Sequence, residues 1–359
     1  MTGPNLYREA PSGRDAGGRD GQARMGRTIL VTGGAGYVGS HCVAALLEAG
    51  HRVVVFDNLR QGHREAVLPQ AELVVGELAD RAAIDAALAG RRFDAIMHLA
   101  GNIQVGESMR RPFLYLGDNV QCAVNLLEAA AAHGVSRFVF SSTCAIFGAP
   151  GLASIDEDAP VAPGSPYGES KYLVERILAW AERVHGIRHA ILRYFNACGA
   201  HPALPLFEDH EPETHLIPIA LDCALGRRAE MQVLGDDYDT PDGTCVRDYV
   251  HVCDLAAAHL RVLDHLDERS RAYNVGSGNG HSVREVLDSV RRVTGVDFPV
   301  RVLPRRPGDL PRLVADPARI RSELGWTPRF ASIDEIVATA WRWRRAHPGG
   351  YAELARARG

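Results

Sequence analysis

The chain has 359 residues, is 46% hydrophobic and carries 40 Lys and Arg against 44 Asp and Glu, a formal net charge of −4. That length supports a large core, in one big domain or two modest ones sharing a cleft. The composition excludes the charge-driven classes: no basic patch interleaved with aromatics suggests nucleic acid, no long basic run a membrane surface, and no apolar stretch nears the roughly 20 residues that span a bilayer.

Residues 1–25 are rich in Gly, Arg and Asp and lack the apolar centre of a signal peptide. They read as a disordered extension, an expression remnant or a misassigned start, with Met25 just ahead of the first strand. From residue 28 to about 193, short β-branched runs (28–31, 52–56, 73–75, 95–99, 138–141 and 190–192) alternate with amphipathic stretches at 40–49, 83–88 and 120–132. This alternation predicts right-handed β-α-β units and a doubly wound parallel sheet, an α/β fold of the Rossmann type. After Asn196 the texture changes to Pro, Gly, His and Asp, with brief apolar runs at 216–224 and 231–234. Strand patterns at 272–275 and 300–303 and a helix pattern at 283–293 follow. The expected division is a dinucleotide domain at 26–196, a smaller substrate domain at 197–348 with 246–277 returning to the first, and a tail at 349–359. The seven cysteines are an odd set without a C-x-x-C pair. They read as buried thiols of a reducing cytoplasm, and no metal site is expected.

Gly33, Gly36 and Gly39 form a G-x-x-G-x-x-G loop between the first strand and the first helix. Such glycines allow a tight turn and bring backbone N–H groups and a helix N-terminus against a pyrophosphate. The second strand ends in Asp57, 18 residues beyond Gly39. A carboxylate there binds both adenosine ribose hydroxyls and repels a 2′-phosphate, favouring NAD over NADP. Arg60 and Arg64 lie close enough to keep NADP as a minor alternative.

Ser165 and Pro166 open a further helix as N-cap and first residue. Tyr167 and Lys171, at i and i+4, share one of its faces. A phenol titrates near 10, so a tyrosine that is basic at neutral pH must have its pKa lowered by about 3, roughly 4 kcal/mol. An adjacent ammonium and a cationic nicotinamide ring are expected to supply it. Thr143, at a strand end 24 residues before Tyr167, is the expected hydroxyl partner, with Ser142 the alternative.

With these elements in place the chain resembles the extended short-chain dehydrogenase/reductase superfamily, and within it the UDP-glucose 4-epimerase family. The likeness runs from residue 28 to about 348. It is strongest at 31–41, at Phe56-Asp57-Asn58-Leu59, at Leu192-Arg193-Tyr194-Phe195-Asn196, at Asp242-Gly243-Thr244-Cys245-Val246-Arg247-Asp248-Tyr249 and at 305–310. The resemblance implies NAD contacts from Gly33, Gly36, Tyr37, Val38, Gly39, Asp57, Asn58, Leu59, Gly62, Glu77, Leu78, Leu99, Ala100, Gly101, Ile103, Asn119, Tyr167, Lys171 and Phe195. It implies UDP-sugar contacts from Thr143, Tyr167, Asn196, His215, Leu216, Gln232, Val233, Leu234, Arg247, Arg306, Asp309 and Leu313. Arginine forks suit a diphosphate.

Three departures stand out. Glu77-Leu78 replace the usual Asp-Ile, Ile103 occupies a loop that carries a lysine in some members, and Phe147 replaces a tyrosine. The resemblance further implies a homodimer with tightly bound, recycled NAD. The implied chemistry is interconversion of UDP-glucose and UDP-galactose: oxidation at C4, rotation of the 4-keto sugar and reduction from the other face. A related epimerase of UDP-N-acetylglucosamine or a UDP-pentose, and a non-catalytic NAD-sensing protein, are the alternatives. A dehydratase would need an Asp-Glu pair after Thr143, where this chain has Cys144-Ala145.

Overall fold

The strands of the first half are apolar on both faces, and the fold covers both. The computed structural model describes residues 26–148, 151–266, 269–306 and 308–358, so the expectation for residues 1–25 lies outside the described residues. In chain order come β1 (Thr28–Thr32), α1 (Tyr37–Glu48), β2 (Arg52–Asp57), β3 (Glu72–Val75), α2 (Arg81–Leu88), β4 (Ala95–His98), α3 (Val105–Ser108), α4 (Pro112–Ala132), β5 (Arg137–Thr143), α5 (Pro166–His185) and β6 (Arg188–Tyr194). Then follow β7 (Asn196–Cys198), α6 (Leu216–Ala224), β8 (Met231–Leu234), β9 (Val246–His251), α7 (Val252–His265), β10 (Arg271–Val275), β11 (Gly280–Ser282), α8 (Val283–Thr294), β12 (Val300–Leu303), β13 (Arg312–Leu313), α9 (Ala318–Leu324), α10 (Ile333–Ala346) and α11 (Gly350–Arg358).

Seven parallel strands form the main sheet in the order β10-β6-β5-β4-β1-β2-β3. Successive side chains of β1 alternate between its faces. Ile29 and Val31 pack with Leu46 of α1 and Leu255 and Val262 of α7, whereas Leu30 packs with Leu126 of α4 and Val174 and Leu178 of α5. Each such side chain contributes roughly 1.5–3 kcal/mol by leaving water. Strand order reverses between β1 and β4, and a crevice forms where such a sheet reverses, outside the carboxyl ends of the strands.

The later elements build on β9, which pairs with β11, β13 and β7. The short β8–β12 pair, α6, α8 and α10 enclose a separate core of Ile217, Leu221, Val233, Val286, Val290 and Val337. Between these elements α7 packs on α1, and β10 joins β6 at the edge of the main sheet.

Helix α5 starts where its chemistry dictates. The Ser165 hydroxyl accepts the Gly168 N–H at 3.2 Å, Pro166 occupies the first turn, and Gly186 closes the helix with φ 69°. A buried ion pair anchors it: Glu175 takes Arg193 Nη2 of β6 at 2.7 Å and the Ser142 hydroxyl of β5 at 2.5 Å. Removing one partner of such a pair typically costs about 3–5 kcal/mol, because the other charge is left buried.

The segment read as a tail is corrected by α11. Tyr351 is buried and its ring stacks on Phe207 at 4.3 Å between centroids, while its hydroxyl accepts the Phe207 N–H. Nothing in the local pattern signals this, because the partner lies 144 residues away. Among the described residues no helix is long and apolar enough to cross a membrane.

Candidate active site

At the switch point the glycine loop is packed backbone against backbone. Gly33 has φ 74°, and a Cβ there would lie 2.5 Å from the Ala100 nitrogen. A Cβ on Gly39 would collide with the Gly33 carbonyl oxygen. Gly36 is the N-cap of α1 and brings no capping side chain. The first N–H groups of α1, at Tyr37, Val38 and Gly39, therefore have no intrahelical acceptor and suit a phosphate. Tyr37 offers only its backbone there, since its hydroxyl donates to the Gly199 carbonyl at 2.6 Å.

Asp57, at the end of β2, accepts the Ala35 N–H at 3.0 Å and the Leu59 N–H at 2.9 Å. Burial raises its pKa while the hydrogen bonds from Leu59 and Ala35 pull it down. Gly62 closes on it: a Cβ would stand 3.0 Å from Asp57 Oδ1. Leu59, with φ 59°, is the only non-glycine residue at positive φ among those described, a strained backbone beside a binding position. Glu77 accepts Asn58 Nδ2 at 3.1 Å and pairs with Arg60 at 3.0 Å. Of the two guanidiniums kept in play for a 2′-phosphate, that of Arg60 is thus already paired. Leu78 is buried in the core beneath, and Ile103 is exposed.

The catalytic candidates meet at the carboxyl ends of β4 and β5. Asn119 of α4 accepts the Asn102 N–H at 2.8 Å and donates to Ser170 of α5 at 3.0 Å, which fixes the Leu99-Ala100-Gly101 loop. Lys171 Nζ donates to the Ser141 carbonyl at 3.0 Å, and burial lowers its pKa to about 8. A Cβ on Gly101 would lie 3.4 Å from that nitrogen. Thr143 stands close enough to the Tyr167 phenol to pull its pKa down, whereas the Ser142 hydroxyl donates to Glu175. Of the two hydroxyls weighed from the sequence, Thr143 is the one at the phenol.

The protein's own groups raise the Tyr167 phenol rather than lower it. Burial pushes the phenol up to about 12, with only the Thr143 hydrogen bond working against it. The reason is that the ammonium one turn away is itself dehydrated and turned toward a carbonyl.

On the sugar side, Phe195, Cys144 and Phe147 form an apolar cluster against which Leu313 packs. Leu313 pairs in register with Arg247 of β9, and Asn196 of β7 pairs with Tyr249. Arg247 donates to the Leu310 carbonyl at 2.7 Å and lies 3.8 Å from Asp309, which Arg306 grips at 2.7 Å. Two guanidiniums therefore converge on one carboxylate. His215 and Leu216 stand at the start of α6, and Gln232, Val233 and Leu234 lie on β8. Val233 is buried, so only its backbone is presented.

Two features were not singled out from the sequence. Asp248 accepts N–H groups from Ser277, Gly278 and Ala315, locking β9 to the loop after β10 and to the strand region behind Leu313. Glu208, His210, Glu213 and His215 converge beside Tyr37. Their E-x-H-x-x-E-x-H spacing is the signal that an inventory of cysteines passes over.

Fold and site together define a dinucleotide-binding α/β protein with the tyrosine–lysine–hydroxyl constellation of short-chain dehydrogenases. A sequence model of the NAD dependent epimerase/dehydratase family matches residues 29–276, and the chain belongs to that family. It is 46% identical over 328 residues to a UDP-glucose 4-epimerase of Lacticaseibacillus casei, covering 91% of this chain and 99% of the relative. Among solved structures it resembles UDP-glucose 4-epimerase from Brucella ovis in complex with NAD (42% identity, TM-score 0.85, covering 88% of this chain and 98% of that one). It also resembles UDP-glucose 4-epimerase from Bifidobacterium longum in complex with NAD+ and UDP (36% identity, TM-score 0.86, 90% and 99% covered).

The hydrogen bond from Thr143 lowers the Tyr167 pKa, so its removal raises it. Thr143→Val is expected to shift the limb of the pH–kcat profile that reports phenol ionisation to higher pH, and Thr143→Ser to restore it. An unshifted limb in Thr143→Val would separate the two hydroxyls.

Proposed function

We propose that this enzyme interconverts UDP-glucose and UDP-galactose by NAD-dependent inversion at C4. The observation that carries the reading is the Thr143–Tyr167 hydroxyl pair, with Lys171 alongside, at the edge of a crevice floored by the glycine loop. Gly33, Gly36 and Gly39, the first N–H groups of α1, and the Asp57 carboxylate would hold NAD by its pyrophosphate and adenosine ribose. When bound, NAD supplies the acceptor and donor of the C4 hydride. Tyr167 would take the proton of the C4 hydroxyl and return it to the same oxygen when C4 is reduced from the other face. Thr143 would steady the phenolate beside that oxygen, and Lys171 would hold the nicotinamide ribose. Arg247 and Arg306 grip the diphosphate while the sugar turns, so recognition falls on the uridine diphosphate end.

Elimination is disfavoured by the residues after Thr143. Burial raises the Cys144 thiol to about 12 and Ala145 has nothing to titrate, so neither can move a proton at C5 or C6. A protein that only sensed NAD would have no use for a buried phenol paired with a threonine. Seven free cysteines, six of them buried, fit a reducing cytoplasm.

Purified protein incubated with UDP-galactose and no added NAD is expected to form UDP-glucose. Tyr167→Phe should lose at least about 100-fold in kcat with UDP affinity unchanged. Retention of more than about a tenth of kcat, a loss of only ~1.4 kcal/mol, would overturn the role given to Tyr167.

Leu313 sets the sugar range in this proposal, because it lines the apolar cluster beside Cys144 and Phe195. We expect weaker activity on UDP-N-acetylgalactosamine, and its selective loss in Leu313→Tyr, since pocket shape is worth about 1–3 kcal/mol. Equal loss on both substrates would make Leu313 structural.

We also infer a homodimer. Helices α4 and α5 pack together yet expose Phe113, Trp180 and Val184, apolar surface that a second copy would cover. Light scattering at micromolar concentration is expected to give twice the 38.9 kDa chain mass, and Trp180→Glu to lower it. A monomer in the wild type would remove this part of the reading.

A further inference from the structure

Between β7 and α6 the chain gathers Glu208, His210, Glu213 and His215, whose ligand atoms all lie within 4.8 Å of one another. His215 Nδ1 is 2.8 Å from Glu208 Oε1 and 2.9 Å from Glu213 Oε1. His210 Nδ1 is 3.3 Å from Glu208 Oε1 and 3.8 Å from Glu213 Oε2. Donors around a tetrahedral metal with bonds of 2.0–2.2 Å stand about 3.4 Å apart, and the 2.8, 3.3 and 3.8 Å separations bracket that value.

The orientation of the groups points the same way. His210 Nδ1 and Glu213 Oε2 are buried without a hydrogen-bond partner, although oppositely charged atoms stand near both. Glu213 Oε1 accepts the Thr214 and His215 N–H groups, which leaves Oε2 as the oxygen without a hydrogen bond. Both carboxylates have side chains no more than 10% exposed, so two buried negative charges need compensation. One divalent cation supplies it.

We propose that Glu208, His210, Glu213 and His215 form a structural Zn2+ site with four protein ligands. Imidazole and carboxylate suit zinc, and a set closed by the protein leaves no open position for chemistry. The ion ties residues 208–215 to the start of α6 on one side. On the other it sets the His210 ring against Tyr37, 6.2 Å between centroids, at the first turn of the helix that begins the dinucleotide site. With Nδ1 of His215 given to the metal, the start of α6 still presents its backbone to the nucleotide.

The full chain is stripped with chelator and titrated with Zn2+ against a chromophoric competitor, and separately with Co2+. We expect one equivalent of Zn2+ and an intense visible Co2+ spectrum of tetrahedral type. The melting temperature should rise with Zn2+, since only the folded state presents the site. His210→Ala and Glu208→Gln should each weaken Zn2+ binding at least 10-fold. Failure of the stripped wild type to bind one equivalent, or unchanged affinity in both variants, would overturn the site. If a variant fails to fold, the wild-type titration and the Co2+ spectrum decide. Epimerase activity enters none of these readouts, so this proposal can fail independently of the proposed reaction.

Discussion

Backbone meets backbone at the reversal of the main sheet, with no side chain between. Gly33 presses on Ala100 and Gly39 on the Gly33 carbonyl, so α1 starts directly over the end of β1. This contact leaves an uncapped helix end facing the crevice and places Asp57 one strand away. It also sets the height of the Leu99-Ala100-Gly101 loop, which Asn119 ties to α5 and so to Tyr167 and Lys171. Any side chain at Gly33 or Gly39 would separate β1 from α1 or β4 and shift the whole crevice.

The reacting group sits in an environment that opposes its charge. Burial pushes Tyr167 up to about 12, which disfavours the phenolate. Thr143 recovers part of this. Lys171 is within reach of the same loop but is dehydrated and turned to the Ser141 carbonyl.

On the far wall the positive groups are held differently. Arg247 is fixed by the carbonyls of Val246 and Leu310, and Arg306 by Asp309. Asp248, next to Arg247, is locked by three backbone N–H groups and keeps β9 and the segment carrying Leu313 in register. In the proposed reaction the diphosphate would meet preset forks, while the sugar would face Phe195, Leu313 and Cys144, which offer contact without fixing one orientation. A sugar that must present both faces needs such a wall.

The local chemistry of this protein was legible in the residues themselves. The strand and helix of the glycine loop, the start of α5 at Ser165-Pro166 and the i, i+4 pairing of Tyr167 with Lys171 follow from caps, glycine freedom and periodicity, each acting over a few residues. Tertiary structure decided what depends on distant partners. It chose Thr143 over Ser142, because Glu175 and Arg193 claim the latter. It made the protein's own effect on Tyr167 a rise, because burial is a property of the whole crevice. It turned the expected tail into α11, because Phe207 waits 144 residues upstream of Tyr351. Desolvation and long-range packing have no signature in a short window of sequence, and those two forces settled every position at which the structure departs from the pattern.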